Sequence, residues 1–449
     1  MSQAFSARVR LSGGGPLGRF WLGPWYFPLL TAAAALFLFA DVPLAGLSVL
    51  LIVGSLYLAF VPDLMAALYP FLLMMLLSTR YYEDGTVLLP YSFAAALPAL
   101  ALLLRLRLCP PLPPRPGRFD HSLLAVSAAT VLGGVGSIPA EAYFTPLGLY
   151  YVLGLGILLF LLYRLFRTEL GRKRPYDLTR RFLALLYAAG LFTAALVADR
   201  YRPYLDFFFR EFQVIYIPCR NYFANMLLLA LPAPFYFLRE SRLHLLGIAL
   251  LAGAALLTGS RSALVFLPVI AVLCAVRYAG LRGASHLWRA GFGLLLGSIA
   301  LLLTLLAAKA LFLSRVTDGQ LFSPEDSRLT FLRLAWEDFL DNPLTGQGLA
   351  SMRNSDVFLG VAGSIVWYHN YFAQILGSMG LVGAAAYGWL LRDRFRLLRQ
   401  LRGRQQALGF CYLSMLLVSL TNPGEFSPLP QAALTVLLFA VAEEQVDAP

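Results

Sequence analysis

Apolar runs of about 15–20 residues recur along almost the whole chain, separated by short polar connectors rich in arginine. A helix needs about 20 apolar residues to cross a ~30 Å hydrocarbon core, fewer when it is tilted or broken. Fourteen segments can be placed: Tyr26–Ala40, Pro43–Phe60, Leu64–Ser78, Leu88–Leu104, Leu123–Ile138, Leu147–Tyr163, Phe182–Ala198, Tyr222–Leu238, Leu245–Leu257, Ser262–Val276, Ala290–Ala308, Tyr371–Leu391, Ala407–Ser419 and Leu429–Val441. The short ones leave the number of spans between twelve and fourteen. Alternation with period two, the mark of a spanning β-barrel, is absent. The expected fold is an all-α, polytopic membrane helical bundle forming a single domain over residues 1–449.

One stretch breaks the pattern. From Lys309 to His369 the chain turns polar, then re-enters apolar sequence through Trp367-Tyr368-His369-Asn370. Within it, Ser323-Pro324-Glu325-Asp326 reads as a capped helix start. Leu329, Leu332, Trp336 and Phe339 then recur at spacings of three and four, predicting one apolar helix face. Asn342-Pro343 ends the helix. Residues 309–370 are thus expected to form a large, partly helical loop.

Composition agrees: 59% of the 449 residues are hydrophobic and 13% charged, against roughly 25% charged in a soluble domain. The net charge of +12 would suit nucleic acid if it were clustered, but the basic residues sit in short loops, as topology signals do. With the N-terminus inside, 25 Lys and Arg fall on the cytoplasmic side and 11 outside. That excess places residues 309–370 on the outer face of the membrane, with both termini in the cytoplasm. The leader before Tyr26 lacks a clear cleavage site and reads as cytoplasmic. Four cysteines in separate segments show no metal or disulfide spacing.

Three residues on the expected outer side can carry chemistry. Arg261 follows Gly259 and Ser260 and interrupts an otherwise near-continuous apolar run. An arginine in a membrane helix is costly and usually faces a cavity or partner, although a headgroup-level cap would also explain it. Arg328 stands near the apolar edge of the loop helix, where an ion pair with Glu325 is the plain alternative. Arg333 has such a partner in Glu337. His369 is the only histidine on that side, and its ordinary pKa of ~6.5 suits a general base as well as a structural hydrogen bond. Arg210 and Arg220, in an aromatic-rich segment, rank second as phosphate ligands, with a headgroup-level position equally open.

His369-Asn370, nine residues, then Gly380-Leu381-Val382-Gly383 resembles the HN-x9-G-x-x-G pattern of the bacterial O-antigen ligase superfamily, which includes related polysaccharide polymerases and protein O-oligosaccharyltransferases. TGSRSALV is similar to its Gly-Ser-Arg motif. RLTFLRLAWEDFLDNPLTGQGL resembles its R-x-x-x-L…W…P-l-x-G-x-G segment, with Arg328, Trp336, Pro343, Gly346 and Gly348 in place. Val265, where some members have Leu, and Gln347, where Val is usual, depart from it. The likeness covers roughly Tyr222 to Leu391.

The resemblance implies a GT-C-like, metal-independent inverting glycosyltransferase without a cofactor. Its donor is a glycan on undecaprenyl diphosphate. Its acceptor is a hydroxyl of lipid A–core in a ligase, or of a second lipid-linked glycan in a polymerase. His369 would then handle the acceptor, Arg261 and Arg328 the diphosphate, and Asn370 the position of His369, while Gly380 and Gly383 would let the helix pack closely. No Asp-x-Asp motif is present, and the first outside loop offers only Asp41. A flippase would need charges at mid-membrane in both halves; here they gather at one face.

Overall fold

The computed structural model describes residues 20–61, 63–81, 87–88, 93–108, 115–138, 141, 144–171, 176–211, 214–278, 292–293, 296–297, 299, 328–351, 367–426 and 429–447. Among these residues every regular element is a helix. In chain order they are α1 (Tyr26–Phe39), α2 (Pro43–Phe60), α3 (Leu64–Ser78), α4 (Ala96–Leu108), α5 (Asp120–Leu132), α6 (Pro146–Leu153), α7 (Leu159–Leu170), α8 (Leu178–Tyr201), α9 (Leu205–Glu211), α10 (Arg220–Ala230), α11 (Pro232–Phe237), α12 (His244–Leu257), α13 (Arg261–Tyr278), α14 (Arg328–Asp341), α15 (Tyr371–Leu398), α16 (Gln406–Ser419) and α17 (Leu429–Asp447). Six of the described helices or joined helices are long and apolar enough to cross a membrane. The protein is an all-α membrane bundle, as its hydropathy predicts.

Helix starts follow the side chains available. Asp63 accepts from the Ala66 amide at 2.7 Å, Asp177 from Arg180 at 3.1 Å and Thr145 from Gly148 at 3.0 Å, each satisfying a donor that a first turn leaves open. Pro232 stops α10 and opens α11, dividing the predicted segment Tyr222–Leu238. The predicted helix Ala290–Ala308 falls almost wholly outside the described residues, as do the cap Ser323–Asp326 and most of the loop 309–370.

The chain forms two compact units, residues 1–113 with 172–311 and residues 114–171 with 312–449. In the first, α8 is central: α1, α3, α10 and α12 pack on it. In the second, α15 packs on α5 and α14, and α7 on α17. A five-residue π turn, Gly154–Leu158, joins α6 to α7.

The second unit buries two ionic groups. Arg167, only 4% exposed, reaches Glu443 at 3.2 Å, Glu444 at 2.8 Å and Asp447 at 3.0 Å on α17. Arg118 joins them through Asp447 at 2.7 Å. Further along, Arg394 meets both oxygens of Glu425 at 2.8 Å and lies over the rings of Phe439 and Tyr412. Removing one member of such a pair strands its partner's charge. Arg394→Ala is therefore expected to cost about 3–5 kcal/mol, read as a drop in the thermal unfolding midpoint in detergent. Arg394→Leu combined with Glu425→Leu should unfold nearer the wild-type temperature than either single change.

Candidate functional site

In the second unit, four backbone hydrogen bonds join the two glycine-bearing segments. The segment Pro343–Gly348, just beyond α14, lies against the middle of α15. Gln347 donates to the Gly377 carbonyl at 2.7 Å and Gly348 to Ser378 at 2.8 Å. From the helix, Leu381 donates to Pro343 at 2.8 Å and Val382 to Leu344 at 3.1 Å. These bonds are possible because α15 breaks at Gly380, with φ 58° and ψ −148°. A Cβ there would stand 2.5 Å from the Pro343 carbonyl oxygen, and one on Gly346, also at positive φ, 2.5 Å from the Met379 nitrogen. Both positions admit only glycine. The predicted close packing at Gly380 is thus a full interruption of the helix.

About two and a half turns before the break, α15 starts at a carefully tied turn. The Asn370 side chain accepts from Phe372 and Ala373 at 2.9 and 3.0 Å and donates to the Leu420 carbonyl at 2.9 Å. On the other side, the Tyr368 amide donates to Gln374 Oε1 at 3.0 Å, and its hydroxyl donates to the carboxylate of Asp338. Gln374 completes its own bonding to Ser378 at 2.8 Å. His369, between these fixed neighbours, has φ 51°. A non-glycine residue in this region costs of order 1–3 kcal/mol and persists only where the surroundings over-determine it, most often at functional sites. Its half-buried ring lies 5.3 Å from that of Phe331 on α14.

The orientation of α14 differs from the predicted one. Phe331, Ala335 and Asp338 face the core at 7%, 2% and 1% exposure, whereas Leu329, Leu332 and Trp336 are exposed and Phe339 is half-buried. The inward carboxylate is satisfied by Tyr368, so a polar residue occupies a core position, and the apolar stripe is left outside. Tyr368, Asp338 and Gln374 went unrecognised in the sequence; the signal was a carboxylate in step with Phe331 and Ala335. The unusual Gln347 is buried, and its amide donates to the Asp338 carbonyl at 3.2 Å. Arg333 pairs with Glu337 at 3.5 Å on the surface, as predicted. Arg328 is the first residue of α14; its side chain and Glu325 lie outside the described residues. Gly383 sits against Met379 one turn on.

In the first unit, Arg220 and Arg261 are the opening residues of α10 and α13. Their helix starts are joined by Ser260 Oγ donating to Asn221 Oδ1 at 2.9 Å. Gly259 turns the chain between α12 and α13 with φ 66°, and the Thr258 hydroxyl accepts from the Ser260 amide at 3.2 Å. Arg220 lies over the Tyr216 ring at 5.2 Å. Two helix N-termini side by side, each headed by a guanidinium, form a positively polarised surface. Arg210 is exposed on α9 and bonds back to the Asp206 carbonyl at 3.2 Å.

Residues 246–388 match the family model described as O-antigen ligase, which supports the O-antigen ligase superfamily for this chain. The matched stretch contains Arg261, Arg328, His369, Asn370, Gly380 and Gly383. No curated protein and no solved structure matches the chain. The chain is a multi-pass membrane protein, and its residues 246–388 are similar to an O-antigen ligase domain.

The break in α15 can be tested within one helix. Gly380→Ala should lower the unfolding midpoint strongly, because backbone has to move. Gly388→Ala, where a Cβ meets nothing within 4 Å, should be neutral or stabilising by up to ~1 kcal/mol. Tyr368→Phe leaves the buried Asp338 without its hydroxyl donor and should cost about 1–3 kcal/mol in the same measurement.

Proposed function

We propose that the protein transfers a glycan from an undecaprenyl-diphosphate carrier to an acceptor hydroxyl at the periplasmic face of the inner membrane, as a ligase. The observation that carries this reading is the strained, doubly anchored turn that presents His369 at the head of α15, inside the matched stretch. The acceptor oxygen attacks the anomeric carbon while the carbon–oxygen bond to the diphosphate breaks, inverting that centre. The diphosphate leaves with the bonding pair, and the acceptor proton passes to His369.

Diphosphate is already a good leaving group, so the protein's main task is to neutralise its charge. Arg261 and Arg220 suit this by guanidinium geometry and by their places at helix N-termini. Arg328 is assigned the same role from its motif, and Arg210 a lesser one. Asn370 positions His369 through the cap. Because the chemistry needs only proton transfer and charge neutralisation, no metal enters the scheme. The outward apolar stripe of α14 suits a bilayer surface or the lipid part of an acceptor.

Purified protein would be given lipid-linked glycan with either lipid A–core or a second lipid-linked glycan, with and without chelator. Product on lipid A–core is expected; lengthened lipid-linked chains would instead make it a polymerase. His369→Ala should reduce transfer by roughly 10²–10⁴, and Arg261→Ala should also cause a large loss, with Arg210→Ala milder. Full activity in His369→Ala would remove the assigned base.

A further inference from the structure

We infer that the first unit holds a structural binding site for one zwitterionic aminophospholipid, separate from the residues assigned to transfer. The site is a half-open cavity of about 830 Å³, within the ~300–1,000 Å³ of small-molecule sites. Its length runs between α1 and α8, where small side chains, Ala32 and Ala35 against Ala184, Ala188 and Ala195, leave a groove. From Arg181 to Ala195 the groove spans about 21 Å at ~1.5 Å rise per residue. One leaflet's share of a ~30 Å core is about 15 Å, so an acyl chain fits along it.

The end of the groove near the start of α8 is polar, lined by Tyr176, Asp177, Arg180, Arg181 and Glu240. Arg180 is paired with Glu240 at 2.9 Å. Arg181 is different. It is 7% exposed, its side chain donates among the described residues only to the backbone carbonyls of Trp21 and Gly23, and it lies over the rings of Phe27, Tyr176 and Tyr26 at 4.3, 5.6 and 5.8 Å. Its Nε is buried without a hydrogen-bond partner, and among the described residues no carboxylate pairs with it. A buried cation without a counter-charge is costly, which points to an anionic group at this end of the groove.

The lining as a whole carries two cations and two carboxylates, so a strongly anionic headgroup would be over-charged there. A phosphodiester beside Arg181, with a primary ammonium beside Asp177 and Glu240, satisfies both signs. Asp177 spends Oδ1 on the α8 cap, and its second oxygen completes this arrangement. The Lys and Arg count assigns this end to the cytoplasmic leaflet, away from the face where transfer is proposed. The inference does not depend on the ligase reading.

Native mass spectrometry of the full-length protein, equilibrated with equal amounts of phosphatidylethanolamine, phosphatidylglycerol and phosphatidylcholine, tests it. One phosphatidylethanolamine per chain should be retained at least fivefold over the other two. Arg181→Gln should lower retention about tenfold. Ala184→Trp, which fills the groove and leaves the polar end intact, should do the same without lowering the unfolding midpoint. Equal retention of all three lipids would mean annular lipid only. That outcome, a preference for phosphatidylglycerol or for added polyprenyl phosphate, or unchanged retention in Ala184→Trp would each overturn the proposal.

Discussion

The second unit depends on a backbone constraint: α15 cannot run straight through Gly380. At that residue its hydrogen-bonding groups turn outward and are taken up by Pro343–Gly348. A buried amide or carbonyl without a partner is costly, and the apolar surroundings of a membrane bundle offer few substitutes for those bonds. The interruption and the segment that repairs it therefore require each other. Through this exchange the end of α14 is fixed to α15, Asp338 comes within reach of Tyr368, and the turn carrying His369 acquires its outer anchor. The motif glycines thus act two to three turns away from the residue they serve.

The helices themselves were readable because hydropathy is a strong signal at this length. Pro43–Phe60 and Leu64–Ser78 match their predicted bounds, and Gly259–Arg261 was recognisable as a break in an apolar run. What sequence periodicity missed was the facing of α14. A rule that turns apolar residues inward does not foresee a buried carboxylate, and here Asp338 takes a core position because Tyr368 satisfies it. Asp338 looked like surface because its partner, Tyr368, lies thirty residues away. The sequence likewise pointed to Arg220 and Arg261 separately; the contact between Ser260 and Asn221 that makes them neighbouring helix heads is a tertiary fact.

The two clusters of candidate residues are built on different principles. Around His369, hydrogen bonds on both sides hold a backbone conformation that would relax if either anchor were lost. Around Arg220 and Arg261, where Cys219 ahead of α10 also has a positive φ of 59°, the effect comes from aligned peptide dipoles together with fixed charge. The first arrangement favours close placement of one side chain. The second favours attraction of a diffuse anionic group.

The arginines gathered by α17 have a history in time as well as a place. Arg118 and Arg167 meet Glu443, Glu444 and Asp447 across 276 to 329 residues of chain. At ~5–20 residues per second, their acidic partners emerge from the ribosome roughly a quarter of a minute to a minute later. During that interval the arginines lack these α17 partners and are able to hold the early helices in the orientation that the Lys and Arg count favours. Only when α17 arrives is their charge neutralised. The same side chains can thus direct membrane insertion first and close the finished bundle afterwards.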